Sequence, residues 1–402
     1  MTMASLLSRR GTLYGLDDKI VLDIGSLYIK CGFSGESRPR SIVPTCIHPY
    51  ANVLDGSRTV GELITLWNLE IQNDEIEHLE DRIADLLYRI YQRELLVDPR
   101  QRKVILCESA LLPMPAKRAI TRALFNVLQV PAVTFLSSSW SALISCGKQT
   151  GLVVDVGYHE ATVQAVYDGR PILHSIKSIP HGGHALTARL ADLIFSNTSD
   201  LIINNQPVEL NPDSSYTICP LQMWEDLKAR YLHVRPIGVS TTSIQDDWEQ
   251  QKPVVYGYEN IRVTFPSWVC ESACEVLFEK DDDGMCVAGI MLDALMNCPS
   301  DTRTELLQNI VITGGTSCIH GFSYRLYHDL IRKMKESKRW KELEFESKVK
   351  FLKPVFPASV LPWVGASLVG SLKLPFVEVN RTEYVKDPVA MIPDWSLITQ
   401  AA

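Results

Sequence analysis

Two apolar runs of this chain end in the same pattern, Asp-x-Gly: Val21-Leu22-Asp23-Ile24-Gly25 and Val153-Val154-Asp155-Val156-Gly157. An apolar run of this length reads as a buried strand. Its Asp stands where the strand stops, and its Gly lets the turning backbone aim N–H groups at an anion. One copy alone is ordinary turn chemistry, because Asp and Gly serve turns for reasons unrelated to ligands. A third strand-then-glycine run, Asn309-Ile310-Val311-Ile312-Thr313-Gly314-Gly315-Thr316, makes coincidence a poor account. The three together point to a duplicated α/β architecture in which one nucleotide is clamped from two sides.

The rest of the pattern alternates strand and helix. Tyr28 to Phe33 reads as the return strand of a hairpin. Val104 to Cys107 and Ala132 to Leu136 read as short buried strands, separated by a helix from Pro115 to about Leu128 and followed by one over Ser137 to Cys146. After the second motif, strands over Ala161 to Tyr167 and Pro171 to His174 and helices near Ala185 to Phe195 and Leu221 to Leu232 echo the first half. The stretches 196–216 and 236–260 are rich in Asn, Ser, Thr, Asp or Gln and read as exposed loops. Helices resume at Pro266 to Glu279, Cys286 to Met296 and Ile319 to Met334, the last with Phe322, Leu326, Leu330 and Met334 on one buried stripe.

Composition removes several function classes. A net charge of −7 disfavours nucleic-acid and anionic-membrane roles, which rest on clustered positive charge. The basic run from Arg332 to Lys341 is interrupted by Glu336 and Trp340 and reads as a solvated helix face. No run approaches the roughly 20 apolar residues of a membrane span, and the first fifteen residues lack the apolar core of a signal peptide. The ten cysteines are scattered and read as reduced thiols, so a cytoplasmic protein is expected. Cys270 and Cys274 read as core residues, and Asp281-Asp282-Asp283-Gly284 as a turn lacking the spaced ligands of a calcium loop.

Asp23 to Ser26 with Lys30 following, then Cys31-Gly32-Phe33-Ser34-Gly35 and Pro39-Arg40, resembles the opening of actin and the actin-related proteins. Thr150 to Gly157, Val166 to Gly169, Cys298 to Arg303, Ile312 to Thr316 and Trp363 to Ser367 continue the resemblance in order, from about Ile20 to about Leu372. It implies the actin-like ATPase fold, two duplicated α/β domains around a nucleotide cleft. The outer domain would comprise 1–147 plus 355–402, with a reduced second subdomain at about 45–98, and the inner domain 148–354. Within the family, Leu95 to Arg100, Ala123-Leu124-Phe125, Val130 to Val133, Val276 to Glu279 and Ile392 to Trp395 are similar to the branch found at the pointed end of dynactin. That likeness implies a cytoskeletal hetero-oligomer whose partners are actin-related filament subunits and dynactin pointed-end proteins.

By the same resemblance, ATP or ADP with Mg would be met by Asp23, Gly25, Ser26 and Lys30 on one side. Asp155, Gly157, Lys228, Gly314, Gly315 and Thr316 would meet it on the other, with Asp23 and Asp155 reaching the metal through water and no direct protein ligand. The alternative is a vestigial cleft in which Asp23, Lys30 and Asp155 form a buried ion network. Departures from the family pattern bear on the chemistry. Ser138 falls where a water-positioning Gln is expected, and a short hydroxyl cannot span that gap, so hydrolysis should be severely impaired. Tyr158 and His159 replace an Asp and a small residue, Leu27 replaces a Gly, and of the adenosine contacts expected at Glu225, Lys228, Ala229 and Ser359 only Lys228 keeps its type. Three readings follow: a non-catalytic capping subunit, a self-assembling ATPase, or a small-molecule kinase on the same scaffold. Ser138, Tyr158 and the contracted Pro44 to Pro99 segment disfavour the second, and no substrate base is identifiable for the third.

Overall fold

A computed structural model of the chain describes residues 18–45, 73–198, 201–208, 219–235, 237, 252–372 and 377–393. Much of the segment expected to be contracted, residues 46–72 of it, lies outside them, as do Asp394 and Trp395. In chain order the strands are β1 (Ile20–Ile24), β2 (Tyr28–Phe33), β3 (Ser41–Pro44), β4 (Val104–Glu108), β5 (Ala132–Ser137), β6 (Gly151–Val156), β7 (Ala161–Tyr167), β8 (Arg170–Ile179), β9 (Leu201–Ile203), β10 (Gln206–Pro207), β11 (Val254–Tyr258), β12 (Ile261–Phe265), β13 (Ile310–Thr313) and β14 (Glu378–Asn380). They form three sheets, ordered β14-β5-β4-β1-β2-β3, β13-β6-β7-β8 and β10-β9-β12-β11.

The first two sheets repeat one plan. Each Asp-x-Gly strand forms a hairpin with the next strand and pairs in parallel with a later one: β1 is antiparallel to β2 and parallel to β4, β6 antiparallel to β7 and parallel to β13. Phe351 bridges Ile310 in parallel, where β5 stands against β4 in the other sheet. Strands covered on both faces read as continuous apolar runs, and all five residues of β1 are buried.

Between these sheets lie the helices Ser138–Ser145 and Leu361–Ser371. Trp363, Val364 and Val369 pack with Val21, Ile105 and Leu136 of the first sheet, while Ala142, Leu143 and Leu361 pack with Val153 and Val311 of the second. The two helices cross at Gly365, where a Cβ would stand 1.7 Å from the carbonyl oxygen of Ser141, so no larger residue fits that approach.

The structure corrects the sequence reading at 196–216 and 236–260. Parts of both stretches are strands: β9 and β10 come from the first, β11 lies in the second, and with β12 they make the third sheet. The helix Phe322–Glu336 buries Phe322, Leu326, Leu330 and Met334 completely, and Cys270 and Cys274 lie in the same core.

Candidate functional site

All ten sequence-predicted site residues line one cleft of about 1140 Å³: Asp23, Gly25, Ser26, Lys30, Asp155, Gly157, Lys228, Gly314, Gly315 and Thr316. A space of that size holds a nucleotide-sized ligand. Ser138, Tyr158, His159, Glu225, Ala229 and Ser359 line it too. Glu160, Cys318 and His320 were not singled out from the sequence; their signal is proximity to the second and third glycine loops.

Strand register builds the first wall. In the β1–β2 hairpin Asp23 is paired with Lys30, and the Lys30 Nζ donates to Asp23 Oδ2 at 2.7 Å. Burial pulls the ammonium pKa down, but the charge and hydrogen bond of Asp23, with Asp155 beyond, outweigh it and the net shift is upward. Asp155, on β6, acts on Lys30 through charge, and no direct ion pair joins them among the described residues. The expected three-membered network is therefore a pair with a charged neighbour.

Burial raises the Asp155 carboxyl to about 6; Lys30 opposes the shift and Asp23 adds to it. The folded state holds this proton more tightly than the unfolded chain, whose carboxyl titrates near 3.8. Asp155 therefore lowers stability as pH rises from about 4 to about 6, and above that window its ionised form costs about 2–3 kcal/mol. Asp155→Asn is expected to raise the melting temperature by several degrees at pH 7.5, with the gain fading toward pH 4.5. Thermal melts across that range check it; a variant equally or less stable at pH 7.5 refutes the assignment.

Gly157 and Gly314 hold the other wall together. The Gly157 carbonyl accepts from Thr316 Oγ1 at 2.7 Å and from the Gly183 N–H at 3.0 Å, tying the second loop to the third and to the helix Gly183–Asn197. Gly314 has φ +95°, and a Cβ there would lie 2.2 Å from the Val156 carbonyl oxygen and 2.5 Å from Asp155 Oδ1. Glycine is required on both counts.

The seat for a magnesium nucleotide is poorly matched. The buried Lys228 donates to Gly183 O at 3.1 Å and Thr187 Oγ1 at 3.0 Å and pairs with Glu225 Oε1 at 2.6 Å. Two hydrogen bonds and one ion pair thus engage the ammonium within the protein. Glu225 lies three residues before it on a helix, a spacing that makes such a pair readable from sequence. The N–H groups of Gly25 and Gly157 close their own turns, onto the carbonyls of Tyr28 and Glu160. Tyr158 is buried, with the rings of His159 and His184 at 5.1 and 5.9 Å. Burial, reinforced by His184, holds His159 down at about 4, so it brings no cation at neutral pH. The Lys30 and Lys228 charges and the Gly25 and Gly157 N–H groups are thus engaged within the protein. Ser138 lines the cleft from the start of its helix and brings only a hydroxyl to the expected place of a Gln amide. Among the described residues no group of three or more His, Cys, Asp or Glu could hold a metal ion, and no helix is long and apolar enough to cross a membrane.

The profile of the Actin family matches residues 17–392. Actin-related protein 10 of Dictyostelium discoideum is 27% identical over 435 aligned residues, which cover 94% of this chain and 89% of that protein.

Proposed function

The chain belongs to the actin family, and from that premise we propose that it is a non-catalytic actin-related subunit that caps the pointed end of the dynactin minifilament. It recruits pointed-end partners there in support of dynein-driven transport along microtubules, as a cytoplasmic component of the cytoskeleton. The proposed division is an outer domain of 1–147 with 355–402 and an inner domain of 148–354. Ser138 carries the non-catalytic part of this reading. Phosphoryl transfer relies on positioning and electrostatic stabilisation, and a hydroxyl at the head of the helix Ser138–Ser145 does not reach as a Gln amide does. The contracted Pro44 to Pro99 segment supports the capping part. Head-to-tail interfaces extend indefinitely unless the last subunit differs on one face.

A second reading, a self-assembling ATPase, is separated by one experiment. The purified protein at micromolar concentration is expected to stay in the supernatant on sedimentation, to release phosphate from ATP no faster than background, and to halt pointed-end growth when added to filaments of actin-related subunits. Homopolymers in the pellet, with phosphate release abolished by Asp155→Ala, would establish the ATPase reading instead.

A further inference from the structure

The two turns that face the cleft are joined by side chains. Leu27 from the first turn, Tyr158 from the second and Leu221 at the head of the helix Leu221–Tyr231 form one apolar cluster, 6, 8 and 6% exposed, with Tyr28 packed against it. The cluster therefore spans from the β1–β2 hairpin to the β6–β7 hairpin. Its central ring is fixed from behind. The His184 N–H donates to the Tyr158 carbonyl at 2.6 Å, and a Cβ on Gly182 would stand 2.5 Å from that same oxygen, so the close approach requires glycine. The Lys228 ammonium lies 5.6 Å from the Tyr158 ring centroid.

We propose that this cluster is a clamp that holds the two turns together in place of a nucleotide's phosphate chain, so that closure of the cleft does not depend on a nucleoside triphosphate. The two substitutions at the turns then explain one another. Leu27 without Tyr158, or Tyr158 without Leu27, would leave an apolar side chain facing charged groups; together they remove each other from water. The cations beside them need no phosphate, since Asp23 answers Lys30 and Glu225 answers Lys228. A triphosphate between the turns would have to displace buried apolar surface and compete with both pairs. This inference does not rest on which filament, or which end of it, the protein occupies.

Hydrogen exchange on the full chain tests it, read at residues 24–28 and 157–160. Wild-type protein stripped with apyrase and EDTA and protein given Mg-ATP are expected to exchange there within about twofold of each other and to melt within about a degree. Leu27→Gly is expected to speed exchange about tenfold or more in the unmutated Gly157–Glu160 turn, and Tyr158→Asp to do the same in the unmutated Gly25–Tyr28 turn. Tyr158→Phe, which keeps the ring, should match the wild type. Where Leu27→Gly does not fold, Leu27→Ala and the stripped wild-type protein carry the test. Wild-type turns that open on nucleotide removal, or a folded Leu27 variant with an unchanged Gly157–Glu160 turn, would overturn the clamp.

Discussion

Gly365→Ala is expected to abolish folding of the chain, although the same exchange in an open helix stabilises by about 1 kcal/mol. The methyl would enter 1.7 Å from the Ser141 carbonyl oxygen, 2.5 Å from its carbon and 2.9 Å from its Cα. These are backbone atoms of a packed helix, so relief requires moving the helix Ser138–Ser145 away from Leu361–Ser371. That movement opens the apolar clusters on both sides at once. Overpacking a core ordinarily costs about 1–3 kcal/mol, and with no flexible side chain to yield, the upper end or more applies here. Gly289→Ala is the matched control, because a Cβ there meets nothing closer than 3.7 Å. Soluble yield and circular dichroism should show loss of the first variant and a neutral or slightly stabilised second. A well-folded Gly365→Ala protein would mean that the helices do not cross as described.

The second large effect is expected at Lys117. It is 2% exposed and pairs at 2.8 Å with Glu108, 1% exposed; its ammonium also donates to the Pro393 carbonyl. Lys117→Met keeps the volume and leaves the Glu108 carboxylate buried without its ammonium, a loss of about 3–5 kcal/mol. The double variant Lys117→Met, Glu108→Leu should recover much of that loss, since an apolar pair of similar size replaces a buried ion pair at little net cost. Urea denaturation measures both. Equal losses in the single and double variants would show that packing, and not the unmatched charge, sets the effect.

What the sequence disclosed follows from the physics of each element. β1, β6 and β13 are buried on both faces and bounded by glycine, so their apolar runs and their turns are visible together. Ser137 to Cys146 was legible as a helix of almost its true extent. β9 to β11 were not, because they are two to five residues long and only partly buried, which leaves neither a continuous run nor a clean alternation, while β12 alternates buried and open positions over only five residues. At the site, residue identities were legible, and of the partnerships only the pair of Glu225 and Lys228, three apart on one helix, was. Lys228 reads as a ligand contact until its internal partners are seen, and Leu27 and Tyr158 read as two unrelated intrusions until they are found in one apolar cluster. A linear pattern shows what a position has lost relative to its family; the contact that replaces it is non-local.

The first sheet is finished by a strand far along the chain from its neighbour. β14 pairs antiparallel with β5 through Glu378–Thr134, Val379–Val133 and Asn380–Ala132, while Glu378 draws in Lys19 and Lys103. During synthesis β5 emerges long before its neighbour, by roughly ten to fifty seconds at ~5–20 residues per second. Over that interval the nascent chain presents an open strand edge, a template for pairing with other chains. The amino-terminal half cannot complete its own sheet before β14 is made, so that edge stays open to pairing until Glu378–Asn380 have emerged.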